Sequence, residues 1–145
     1  MLIDTATNQI AANSVVDAGK PKIIVLEVIA GTPRIKKAYL TIAFGKGVEM
    51  IQKTAQVKTE GGPLHAIAQA IRELVPHDAK LSHYSVKALG EGTDAEGKTI
   101  VILKIGDRKF RATSKNRDTD LGFARAYLGA VNQWKASKRK VRRSR

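Results

Sequence analysis

The sequence predicts an α+β fold made of two strand-strand-strand-helix repeats, with antiparallel sheets and helices packed on one sheet face. Segments rich in β-branched residues occur in two groups of three, each bounded by glycine or proline. Each group is followed by apolar residues at helical spacing. The equivalent helix positions Ala70 and Ala126 lie 56 residues apart. Because one such unit is too small to cover its own sheet, two units sharing one core are expected.

The first repeat is predicted over residues 22–77. Residues 23–29 (IIVLEVI), 37–44 (KAYLTIAF) and 49–58 are expected to form three strands separated by turns. A helix is expected to begin at Pro63, because proline has no N–H to lose at the first helical position, and Pro76 limits it. We place Gln69, Arg72 and Glu73 on its other faces. Its apolar stripe consists of Leu64, Ile67, Ala68, Ile71, Leu74 and Val75.

The second repeat is predicted over residues 80–134, in the same order. Residues 81–89, 99–105 and 109–113 are expected to be strands, with a turn-rich loop at 90–97 and a tight hairpin at Gly106 and Asp107. Residues 116–120 offer several side chains that can cap a helix. The stripe of that last helix consists of Leu121, Ala124, Tyr127, Leu128, Val131 and Trp134.

The net charge of +13 at first suggests nucleic-acid binding, but it is unevenly distributed. The segment 135–145 contains seven Lys and Arg and no acidic residue, which leaves a net charge of +6 over 1–134. We expect this segment to be a disordered basic tail and residues 1–21 to be a polar leader. The tail is either solvated or an arm for RNA or an acidic protein. The absence of interleaved aromatic residues weakens the RNA hypothesis.

No residue pattern points to catalysis, so no catalytic residue, metal site or cofactor is predicted. The chain has no cysteine, and its three histidines show no metal-ligand spacing. The one acidic cluster, in the loop 90–97, either is solvated or meets a cation or an ammonium group. No segment is long and apolar enough to span a bilayer, and no signal peptide is evident, so we expect a cytoplasmic protein without a membrane partner.

Four short motifs, in order, carry a resemblance to a known family. They are residues 60–66 (EGGPLHA), 81–84 (LSHY), 92–97 (GTDAEG) and 126–132 (AYLGAVN). Over roughly residues 22–134, the chain resembles the C-terminal regulatory (allosteric dimerisation) domain of 2-isopropylmalate synthase and the related citramalate synthase. It departs from the family pattern at Gly122 and Phe123, where the family has Ala-Ser. The catalytic barrel of these synthases is absent from the sequence.

The resemblance implies a non-catalytic domain that forms a homodimer and binds leucine or isoleucine for feedback inhibition. It also implies a separate catalytic synthase subunit as a possible partner. Leu64 and Leu81 would contact the aliphatic side chain, and Tyr84 would form a wall with a polar tip. The implied effector-binding residues are Leu64, Leu81, Tyr84, Ala88, Ala95 and Gly97. The alternative is a binding module of the same fold whose basic tail binds RNA or an acidic protein.

Overall fold

The structure, a computed structural model, describes residues 20–30, 36–45 and 50–143 and confirms the two predicted repeats. Each repeat is a three-stranded antiparallel sheet followed by one helix, with the middle strand of each sheet second in sequence. The elements are β1 (Lys22–Ile29), β2 (Lys36–Phe44), β3 (Ile51–Thr59), α1 (Pro63–Leu74), β4 (Lys80–Ala88), β5 (Gly97–Ile105), β6 (Arg108–Asn116) and α2 (Thr119–Arg143). Apart from Lys20 and Pro21, the predicted leader lies outside the described residues.

The strands of the two sheets pair in equivalent registers. This agreement supports an internal repeat more strongly than the order of elements alone. Ile23 pairs with Ile42 in the first sheet, and Leu81 pairs with Leu103 at the equivalent place in the second. Both edge strands carry a register shift there, between Ile23 and Val25 and between Leu81 and His83. A bulge inserts one residue and increases the local twist. Its presence at equivalent positions shows that the two units share their local geometry as well as their order.

The core lies where each helix covers its own sheet and the two helices meet. α1 packs on β2 and β3, and α2 packs on β5 and β6. α2 also reaches β1, where the Asn132 side-chain amide donates to the Pro21 carbonyl at 3.2 Å. Both edge strands β1 and β4 nevertheless keep large apolar side chains exposed, namely Ile24, Val25 and Ile29 on β1 and Leu81 and Val86 on β4. The largest fully buried side chains are Phe123, Leu40, Ile42, Ile67, Ile71 and Leu103.

Both helices begin as the sequence predicts. Pro63 occupies the first turn of α1 after an extended Gly62. The carboxylate of Asp118 accepts hydrogen bonds from the backbone N–H groups of Asp120 (3.0 Å) and Leu121 (3.2 Å), which caps α2. The predicted hairpin is also present, with Gly106 at a φ of 62° that favours glycine.

The end of α2 differs from the prediction of a disordered tail. The helix continues past Trp134 to Arg143. The added residues are mostly Lys, Arg and Ala, which favour helix, and none is glycine or proline. Two contacts involve the first of these residues. The Lys138 ammonium lies 4.5 Å from the ring centre of Trp134 on the same helix, and Arg108 of β6 donates to the Ser137 hydroxyl at 3.2 Å. Across the described residues, no helix combines the length and the apolar character needed to cross a membrane.

Candidate effector-binding site

A cleft of about 410 Å³ lies between α1, the start of β4 and the first turns of α2. Leu64 and Ala68 project into it from α1, one helical turn apart. Leu81 and Phe123 complete its apolar wall from β4 and α2. The remaining lining is more polar and consists of His65, Gln69, Arg72, Ala79, Lys80 and Tyr127. The cleft therefore joins the two repeats and combines an aliphatic wall with a cationic rim.

Gly61, just before α1, leaves room for the His65 imidazole, which lines the cleft. A Cβ on Gly61 would lie 2.8 Å from the Cδ2 atom of His65, so a larger residue would displace that imidazole. Nothing lies within 4 Å of a Cβ built on Gly62. The Gly61 N–H donates to the Thr59 hydroxyl at 3.0 Å, which fixes the approach of the chain to the helix.

A hydrogen-bonded chain of polar groups lies behind the rim. The Arg72 guanidinium donates to the Ala79 carbonyl at 2.8 Å and so connects α1 to the segment that joins the repeats. The Tyr127 hydroxyl, from α2, lies 2.9 Å from Nε2 of His77. Nδ1 of His77 lies 2.8 Å from the Val75 carbonyl. Groups from both repeats thus meet beneath the cleft.

The Val75 carbonyl determines the tautomer of His77. A carbonyl oxygen only accepts, so Nδ1 must carry the proton, and the neutral ring accepts at Nε2 from the Tyr127 hydroxyl. Burial lowers the pKa of His77, and the nearby cations Arg72 and Lys135 lower it further, against the opposing effects of the Val75 hydrogen bond and Asp78. Burial also raises the pKa of Tyr127. Both groups are therefore held in their neutral forms.

Tyr84 reaches the cleft through Phe123. Its ring packs edge-on against the Phe123 ring with centroids 5.2 Å apart. Burial, and secondarily the carboxylate of Asp120, raises the pKa of the Tyr84 hydroxyl. Burial and the neighbouring Asp118 raise the pKa of Asp120 in turn. Tyr84 therefore supports the aromatic wall of the cleft and does not itself line it.

The six predicted effector-binding residues fall into two groups within one chain. Leu64 and Leu81 line the cleft, with Tyr84 behind it. The other three lie at the opposite end of β4. Ala88 pairs with Gly97, and Ala95 lines a separate, open cavity of about 540 Å³ with Asp94, Glu96, Lys115, Asn116 and Arg117. From Leu81 to Ala88 the strand extends about 23 Å, so a single amino acid cannot contact both groups in one copy.

Sequence reasoning missed the polar part of the cleft. Arg72 and Gln69 were assigned to other faces of α1, but they follow Leu64 by eight and five residues and share its side of the helix. That spacing was visible in the sequence. Phe123 and Tyr127 had no such signal, because their approach to α1 depends on how the two repeats pack.

The lining of the cleft determines what it can bind. It holds two cations, Arg72 and Lys80, and no carboxylate among its described residues. A guanidinium on an apolar wall suits a ligand with an aliphatic body and a carboxylate. Over the described ranges, no group of three His, Asp or Glu side chains is arranged to hold a metal ion.

The chain matches a model of the family described as the LeuA allosteric (dimerisation) domain over residues 3–135. A protein of Methylorubrum populi named 2-isopropylmalate synthase is 41% identical over 117 residues, which are 80% of this chain and 21% of that protein. Proteins of the same name from a Bradyrhizobium species and from Rhodopseudomonas palustris are 40% and 37% identical, each covering 77% of this chain and 20% of theirs. The chain thus spans about a fifth of the length of these curated relatives.

Proposed function

Because this chain belongs to the LeuA allosteric (dimerisation) domain family, we propose that it is a non-catalytic regulatory and dimerisation domain that senses a branched-chain amino acid. The effector is leucine or isoleucine, and the regulated activity is that of a 2-isopropylmalate synthase or citramalate synthase. The observation that carries the proposal is the family match over residues 3–135, together with relatives that share this part and are named 2-isopropylmalate synthase.

The chemistry of the cleft supports such an effector. The alkyl side chain packs against Leu64, Ala68, Leu81 and Phe123, and the carboxylate meets the guanidinium of Arg72 at the rim. In a pocket of this kind one methylene contributes about 1–3 kcal/mol, which separates valine from leucine. Leucine and isoleucine have side chains of equal size that differ only in the position of the branch, so the pocket separates them only modestly. An ammonium group pairs best with a carboxylate, and the described cleft lining of one chain contains none.

A second copy of the chain provides the missing part of the site in this proposal. The face of β4 that lies on the side of α2 is incompletely covered, and Leu81 and Val86 on that face are 47% and 39% exposed. An exposed apolar edge strand is a surface that proteins normally cover. When two copies pack through this face, Ala88, Ala95 and Gly97 of one copy meet the cleft of the other. The loop carboxylates beside Ala95 then accept from the ammonium group.

Regulation follows from this arrangement, since an effector held between two copies favours the dimer geometry to which it binds. Coupling of this kind typically changes an equilibrium by about 1–3 kcal/mol. In the curated relatives about four fifths of the chain lies outside the matched part, and we assign the regulated catalytic activity to that part.

The proposal is tested by calorimetric titration of the full chain with leucine, isoleucine, valine and glycine. We expect saturable heat with leucine or isoleucine, a weaker response to valine because one methylene is lost, and none with glycine. The same ligands should raise the unfolding temperature in the same order. Absence of both heat and thermal stabilisation at millimolar leucine and isoleucine would contradict the effector assignment.

A further inference from the structure

The outward face of the second sheet carries two rows of lysines that cross all three strands. At one end Lys80 pairs with Lys104, and Lys104 pairs with Lys109. At the other end Lys87 pairs with Lys98, and Lys98 pairs with Lys115. Five of these six lysines are exposed and Lys98 is half-buried. We call these rows the two lysine ladders.

The positions between the ladders add no negative charge. They hold Arg111 opposite Ile102, Thr113 opposite Ile100, and Ser85 and His83 on β4. The nearest acidic residues in sequence, Asp78, Glu96 and Asp107, lie beyond the strand ends. This face of the described sheet is therefore cationic throughout, with two isoleucines near its centre.

The first sheet shows that the fold does not require this arrangement. The equivalent rows there are Lys22, Ala43 and Gln52 at one end, and Ile29, Lys37 and Lys58 at the other. Like charges placed directly opposite on neighbouring strands destabilise a sheet. The first sheet contains one such pair, Lys37 opposite Lys58, whereas the second sheet contains four. This excess of like-charge pairs in one repeat points to a role for the face that carries them.

The basic C-terminal part of α2 adjoins one ladder. Arg108 immediately follows the turn between β5 and β6 and donates to the Ser137 hydroxyl. This contact brings the last turns of α2 to the end of the sheet that carries Lys104 and Lys109. Lys135 and Lys138 of α2 therefore add positive charge near this end of the sheet, on the side that α2 covers.

We propose that the two lysine ladders bind the phosphate backbone of a nucleic acid without sequence preference. The ladders lie six residues apart along β5, or about 20 Å. A nucleic-acid strand carries a phosphate at every nucleotide along that distance, whereas a protein would need acidic groups placed at both ladders. The central positions hold Ile100 and Ile102 where base stacking would need aromatic rings, so the bases are not recognised.

The test uses fluorescence anisotropy of a labelled oligouridine of about 20 nucleotides, measured with the full chain at several salt concentrations. The double variant Lys104→Ala with Lys109→Gln introduces the residues that the first sheet has at these positions. Each phosphate contact contributes about 0.7 to the slope of log affinity against log salt, so this variant should flatten the slope by about 1.4. The matched control, Lys37→Gln with Lys58→Gln, removes two charges from the first sheet and should leave the slope nearly unchanged.

Two results would overturn the proposal. One is an equal loss of slope in the ladder variant and the control, which would assign binding to net charge alone. The other is displacement of the oligouridine by poly-L-glutamate of matched charge as effectively as by unlabelled oligouridine, which would assign the face to acidic proteins. Equal competition by oligonucleotides of different sequence would support it. Lys80 belongs both to a ladder and to the cleft lining, and the ladder variant leaves it unchanged. Leucine titration of this variant therefore keeps the test separate from the proposed function.

Discussion

Replacing Arg72 by glutamine is expected to weaken leucine binding about tenfold while leaving the domain folded. The guanidinium lies on the rim of the cleft, donates to the Ala79 carbonyl and also hydrogen-bonds to Tyr127. A guanidinium has five N–H donors, so donors remain for a ligand carboxylate. A hydrogen bond to a charged group is worth about 1.5–3 kcal/mol. We use the lower end of that range because Arg72 is exposed, and about 1.4 kcal/mol is a factor of ten in affinity.

The assay is isothermal calorimetry with leucine and with leucinamide, in which an amide replaces the carboxylate. The wild-type chain should prefer leucine, and Arg72→Gln should lose most of that preference because both ligands then meet a neutral side chain. Loss of the hydrogen bond to Ala79 should also lower the free energy of unfolding by about 0.5–1.5 kcal/mol.

Arg125→Gln is the matched control, since Arg125 is an exposed cation of α2 outside this cleft. It should bind leucine as the wild type does. If Arg72→Gln retained the wild-type affinity for leucine and its full preference over leucinamide, the assignment of the carboxylate to Arg72 would be refuted.

Three further predictions concern the dimer, the buried histidine and the helix packing. Val86→Asp places an unpaired carboxylate on the proposed dimer face and should give monomers in size-exclusion chromatography with light scattering, whereas Lys87→Asp, on the opposite face of β4, should remain dimeric. Because the pKa of His77 is lowered in the fold, the unfolded chain takes up that proton first as the pH falls. Urea unfolding should therefore show a loss of stability from about pH 6.5 downward, and His77→Gln should flatten that loss. Gly122→Ala would bring a Cβ to 3.0 Å from the buried hydroxyl of Thr99. The strain of about 1–3 kcal/mol exceeds the gain in helix propensity of about 1 kcal/mol, so net destabilisation is expected in urea unfolding, with partial recovery in the double variant Gly122→Ala with Thr99→Ala.

Each of these three predictions has an outcome that contradicts it. A dimer of unchanged affinity with Val86→Asp would remove β4 from the interface. If the free energy of unfolding depended on pH equally in the wild type and in His77→Gln, other groups would cause the loss of stability at low pH. If Gly122→Ala were as stable as the wild type, α2 could shift away from Thr99 without loss of stability. The close contact at Thr99 would then not determine where α2 lies.

The fold was predictable from the sequence because its elements are marked locally. Pro63 starts α1, Gly106 closes a hairpin, and alternating β-branched residues define the strands. The paired bulges had no sequence signal, since a one-residue insertion leaves the apolar pattern nearly intact. The sequence underestimates the length of α2, because the dense positive charge of the segment 135–145 predicts disorder. The contact between Arg108 and Ser137 arises only from packing, whereas Lys138 follows Trp134 by four residues on the same helix.

The candidate site was predictable only in part. The resemblance identified Leu64 and Leu81, and these two do share a cleft. It grouped them with Ala95 and Gly97, which lie at the far end of β4 in the same chain. Phe123 reaches the cleft through packing between the repeats, and we propose that Ala95 reaches it from a second copy. The spacing of residues in one sequence does not reveal either kind of contact.

The most direct test of an effector site shared between two copies is complementation between two variants. Ala68→Leu fills the cleft, Ala95→Leu fills the opposite half, and each variant alone should give no heat with leucine. In a mixed dimer, both substitutions fall in one site and the other site is intact. An equimolar mixture of the two variants, dissociated and reassociated, should therefore recover about a quarter of the wild-type binding capacity, at wild-type affinity. No recovery from the mixture, or leucine binding by Ala95→Leu alone, would contradict the shared site.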